Sequence, residues 1–165
     1  MELGTIREAV RDHLAAGGVN AVTAWPEERR LRGQAPVVVV SLRGYAGRTA
    51  GFQDYLGERY NTQEGRWEEL YGRRVDITFG LDIYAPKGSG AEGCQAAFDR
   101  LAEVLHQNGP GGLNIRSLSC GETRYDREAD LYHRPAEALC EAYLYAAADE
   151  GGAFLEFEVK GGTGN

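Results

Sequence analysis

Across residues 75–85, apolar Val75, Ile77, Phe79, Leu81 and Ile83 alternate without a break against Asp76, Thr78, Gly80, Asp82 and Tyr84. A period of two with β-branched and aromatic residues predicts a long central strand, one face buried and one wet, as in antiparallel sheets. Residues 3–16 change the period: Leu3, Ile6, Val10 and Leu14 sit at helical spacing against Arg7, Glu8, Arg11 and Asp12, and Gly17-Gly18 end the helix. Residues 91–107 repeat that spacing with Cys94, Ala97, Phe98, Leu101, Val104 and Leu105, up to a stop at Asn108-Gly109-Pro110. The valine run at 36–43 predicts a strand buried on both faces, and shorter alternating runs predict strands at 113–119, 138–148 and 153–159. Together they predict an α/β (α+β) fold, a mostly antiparallel sheet of about four to five strands with two helices on it.

Residues 44–74 fit neither period. Six glycines punctuate them, and Tyr45, Phe52, Tyr55, Tyr60, Trp67 and Tyr71 give them unusual aromatic weight beside Arg48, Arg59, Arg66, Arg73 and Arg74. About thirty residues without periodicity is long for a loop inside a domain. Two explanations stand: an extended hairpin or arm whose aromatics pack on another chain, or a loop folded back on its own subunit. Aromatics mixed with arginines are the composition of protein–protein contacts. Residues 27–33 read as a charged loop, and 120–136 as a second one carrying Glu122, Arg124, Tyr125, Asp126, Arg127 and His133.

Composition narrows the function classes. A chain of 165 residues with 42% hydrophobic and 26% charged residues is a globular domain, taken as one unit over 1–160 with a flexible tail at 161–165. The net charge of −7 argues against tight binding to a nucleic-acid backbone. Three well-separated cysteines, Cys94, Cys120 and Cys140, imply no disulfide framework and read as buried thiols in a reducing cytoplasm. No signal-peptide pattern opens the chain, and no apolar run reaches membrane-spanning length. The three histidines lack metal-ligand spacing, and no nucleophile elbow, dinucleotide fingerprint or phosphate loop is present. Asp76 and Asp82 share one face of the central strand but stand roughly 20 Å apart, too far for paired-carboxylate chemistry. The expectation is a protein that is not an enzyme and needs no cofactor or metal. The rival is a small enzyme using Glu122 and His133 as acid and base.

The order of these elements resembles the tail-terminator (tail-completion) proteins of long-tailed phages and contractile injection systems. Four parts carry the resemblance. They are the helix at 3–14, the strand at 36–42 after Trp25-Pro26, the strand at 75–85 running into the helix at 91–105, and Glu122-x-x-Tyr125-Asp126 before the strand at 138–148. The resemblance implies a ring homo-oligomer, commonly a hexamer, that caps the tail tube and ends its polymerisation. Its partners are then the tail-tube protein, and the sheath and the neck or capsid connector. Assembly takes place in the bacterial cytoplasm, and the product is a virion tail or tail-like particle. On that reading, Tyr45, Arg48, Phe52, Tyr55, Arg59, Tyr60, Arg66, Trp67 and Tyr71 form a subunit interface. Asp76 and Asp82 line a lumen or form a polar face, and Glu122, Arg124, Tyr125, Asp126 and Arg127 form a contact loop. A head–tail connector, or neck protein, is the neighbouring alternative.

Overall fold

Ile6, Val10 and Leu14 recur every fourth residue, and in the computed structural model all three are buried along one side of α1 (Leu3–Ala16). The helix ends in a paired-bond cap. Val19 N–H donates to Leu14 O at 2.9 Å and Gly18 N–H to Ala15 O at 3.0 Å, with Gly18 at φ +84°. This is the left-handed cap that favours glycine, and Val19 and Leu14 join the same apolar core across it. Gly18→Ala is expected to lower stability by about 1 kcal/mol. Chemical denaturation measures it, and an unchanged midpoint would show that the cap does not hold the helix end.

The structure describes residues 3–25, 34–49, 55–107, 109–110, 113–148 and 154–160; Phe52, the loop at 27–33 and the tail at 161–165 lie outside them. The strands are β1 (Ala21–Val22), β2 (Val37–Thr49), β3 (Tyr55–Asn61), β4 (Arg66–Pro86), β5 (Asn114–Cys120), β6 (Arg124–Asp126), β7 (Leu131–Arg134), β8 (Ala136–Ala148) and β9 (Phe154–Lys160). After β4, a 3-10 turn at Lys87–Ser89 leads into α2 (Gly90–Gln107).

All nine strands form one sheet around β4. One edge of β4 pairs with β2 along 73–84 and with β3 along 66–71. The other edge pairs with β8 along 69–80 and with β7 along 83–86. Beyond β8 lie β5 and β9, and beyond β7 lies β6. Among the described residues, only the β1–β2 pair is parallel. The α+β class and the antiparallel sheet agree with the sequence reading, but nine strands replace four or five.

The additions come from three places, the first being the two-residue β1 that follows α1. The described residues of 44–74 are not an irregular loop: β2 and β3 both pair along one side of β4, and after β3 the chain turns at 62–65 and returns as the first half of β4. The charged stretch at 120–136 is not a plain loop either, because Tyr125 faces Tyr132 in a short β6–β7 hairpin.

The main core lies on one face. Val75, Ile77, Phe79, Leu81, Ile83 and Ala85 are at most 1% exposed and meet both helices. Val38 and Val40 of β2 join this core, whereas Val37 packs with Trp25 and Leu131 on the opposite face. The valine run is therefore covered on both sides by two different clusters.

Candidate functional site

The hairpin tip is built from its polar residues. Asn61 Oδ1 accepts the backbone N–H groups of Gln63 and Glu64 at 3.0 and 3.1 Å, and Gly65, at φ +65°, donates to Asn61 O at 2.8 Å. Asn61 Nδ2 then donates to Glu68 at 2.9 Å, and Arg59 donates to the same carboxylate at 3.0 Å. Glu68 is only 3% exposed. These bonds, Asn61 first and Arg59 next, hold its carboxyl below the usual carboxylate range. The carboxylate ties the turn to both strands.

The sign of the linkage follows from that lowered value. Glu68 stabilises the arm above the unfolded carboxyl value of about 4.3, and the contribution is lost as pH falls through the lower folded value. A Trp25→Phe variant leaves Trp67 as the sole tryptophan. Its emission is expected to shift red on acidification, and Glu68→Gln to remove that step. A step that survives in Glu68→Gln would assign it to another group.

Burial changes sides along β4. In the body the odd-numbered residues 75–85 are buried, whereas in the arm Glu68 and Leu70 are buried and Trp67 and Glu69 are exposed. Leu70 packs with Leu56 and Tyr143 on one face of the arm. The other face continues the helix-covered side of the sheet, but the helix-packed core ends at Val75. Tyr60 and Trp67 meet edge-on there at 5.5 Å, as do Tyr55 and Tyr71. Trp67 is 60% exposed, Tyr60 50%, Tyr45 47% and Tyr55 41%. Tyr71 is tied down, its hydroxyl donating to Glu69 at 2.6 Å, a bond that raises its pKa. Of the candidate interface residues, Arg59 and Arg66 serve Glu68 and Glu64. The exposed aromatics share the outer face.

The opposite face of the body carries a ladder of ion pairs. Arg43 reaches Asp82 at 2.7 Å and Glu137 at 3.2 Å, and His133 Nε2 lies 2.9 Å from Asp82. Arg48 pairs with Asp76, and Glu141 sits between Arg74 at 3.1 Å and Arg116 at 3.5 Å. Gly80 makes room for the Arg43 side chain, since a Cβ there would stand 2.8 Å from its Cζ. Four arginines thus face four carboxylates, so this surface has little net charge. Asp76 and Asp82 lie on the polar face of the strand as the alternation predicts, but they are ion-paired rather than solvated, at 12% and 16% side-chain exposure.

Other assignments also change. Glu122 is 86% exposed and its partner is Arg124 at 3.9 Å, while His133 stacks on Tyr84 at 4.6 Å and turns to Asp82. Glu122 and His133 thus take different partners. Tyr125 bonds Asp130 and tilts against Tyr132 at 5.1 Å, Asp126 caps the turn by accepting from Glu128 and Ala129, and Arg127 is exposed. Cys94 and Cys140 are buried, and burial pushes the Cys140 thiol up to about 12, but Cys120 is exposed and accepts from Arg134 at 3.2 Å. Sequence reasoning missed Arg43, Arg116, Glu137 and Glu141, and grouped Arg74 with the aromatic stretch, because cross-strand register alone brings these residues together.

Among the described residues, no group of three or more His, Cys, Asp or Glu side chains is placed to hold a metal ion, and no helix is long and apolar enough to cross a membrane. Comparison with protein-family models and with curated proteins finds no match for this chain.

Proposed function

We propose that this chain is a structural assembly protein that closes a tail tube as a ring of identical subunits and joins it to the neck or capsid. The observation that carries the reading is the arm: a hairpin with a locked tip, presenting Tyr55, Tyr60 and Trp67 on a face beyond the helix-packed core, with Tyr45 exposed on β2 opposite Ile77. Large aromatics held on a stiff ribbon are the anchors of protein interfaces and lose little side-chain freedom on binding. Rings need a heterologous contact, one surface meeting a different one on the next copy, and an arm reaching away from the body supplies one half of it. The order of the elements supports the same reading.

Two measurements test it. Light scattering across a concentration series is expected to find multi-subunit species, and adding the protein to a polymerising tail-tube protein is expected to shorten the tubes. A protein that stays monomeric and never joins a tube would overturn the proposal. Binding at the capsid portal in place of the tube would transfer it to the head–tail connector class.

A further inference from the structure

The body has an apolar groove at the end of β4 remote from the arm. It measures about 350 Å³ and is lined by Gly18, Pro36, Val38, Gly93, Ala97 and Arg100, among others. Its floor of glycine, alanine and proline carries no long side chain to bar a flat ring. Arg100 stands at the rim, fixed by donating to Gly17 O at 2.9 Å and to Glu103 at 2.6 Å. It is the only charged residue among the described lining residues.

We infer that the arm tip of one copy, through Tyr60 and Trp67, seats in this groove on the next copy. The inference rests on the ring reading and names the contact that makes the ring. Within one subunit the two sites cannot meet. From Trp67 to Ala85, which lies beside Gly93 in the groove wall, β4 runs unbroken, roughly 60 Å at about 3.3 Å per residue. Between subunits they meet head to tail, as a contact with two different halves requires. The chemistry matches on two counts. An indole entering the groove lies against the Arg100 guanidinium, the favourable geometry for a cation over an aromatic face. The tip is also acidic, with Glu58, Glu64, Glu68 and Glu69 against Arg59 and Arg66 over residues 55–69.

Mixed-cysteine crosslinking tests the contact in the full chain carrying Cys120→Ser, which removes the exposed thiol. One protein carries Tyr60→Cys and the other Ala96→Cys, an exposed position on the groove wall. A short bismaleimide is expected to link the equimolar mixture at least tenfold more than either protein alone. Glu64→Cys, 57% exposed at the turn, repeats the test with both aromatics intact. Light scattering on the same samples separates the outcomes. Assembly without linkage in either mixture overturns the groove contact and leaves the ring. Linkage of Ala96→Cys alone points to a two-fold contact and overturns it too. Absence of both assembly and linkage removes both proposals.

Discussion

Phe79→Ala is expected to cost about 3–5 kcal/mol, the range for removing a fully buried aromatic without relaxation of its cavity. Phe79 has no exposed surface and sits at the middle of β4, opposite Leu42 on β2 and Ala138 on β8. On the β8 side its core-face neighbours are small, with Ala138, Cys140 and Ala142, and short side chains anchored in a paired strand cannot swing in to fill the space. Against a total stability of about 5–15 kcal/mol, the loss is a large share. Thermal unfolding should then show a midpoint lower by roughly 10 °C or more. A cost below about 1 kcal/mol would mean that the ring does not centre the core.

The same strand shows what the sequence makes legible and what it hides. Residues 75–85 announce themselves because one face is buried along the whole run, so the apolar set keeps step with the pleat. Over 66–74 the strand continues, but burial moves from the odd face to the even face, and Trp67 and Tyr71 lie on the helix side beyond the end of the helix-packed core. A pattern that needs one constant buried face then dissolves, although the backbone pairing never breaks. β3 adds a register shift between Tyr55 and Gly57, with Gly57 at φ +128°, which blurs its alternation as well. Both helices, by contrast, bury one stripe from end to end, and both were legible.

The ion-paired face was illegible for a different reason. Asp82 meets Arg43 from 39 positions away and His133 from 51. Nothing local in the sequence links those residues, and register alone sets them side by side. The strand alternation located Asp76 and Asp82 correctly on the open face but left them without partners, which made the face look acidic. The arginine ends of these pairs stand more than a third in water, where solvent screening keeps each contribution modest, so the ladder's main consequence is electrical. It leaves the aromatic arm as the surface with an unmet demand.

Replacing Tyr60 and Trp67 together by alanine is therefore expected to separate assembly from folding. Both side chains lie at least half in water in the isolated subunit, and the Glu68, Arg59 and Asn61 bonds that hold the tip do not involve them. The subunit should keep its far-ultraviolet dichroism and lose little stability, on the order of 1 kcal/mol for the missing ring–ring contact. Self-association should suffer far more, because truncating a central aromatic anchor costs about 2 kcal/mol or more, roughly thirtyfold per residue in dissociation constant. Sedimentation over a concentration series reads the second effect. In the Trp25→Phe background, Trp67 emission should also move to the blue as the wild-type arm becomes buried. Unaltered self-association in the double variant would show that the aromatic face of the arm is not where copies meet. A collapse of the fold would place these rings in the subunit's own structure, contrary to their exposure. The contrast with Phe79 is the useful part: one aromatic, fully enclosed, should govern whether the chain folds, and two others, left in water, should govern what the folded chain joins.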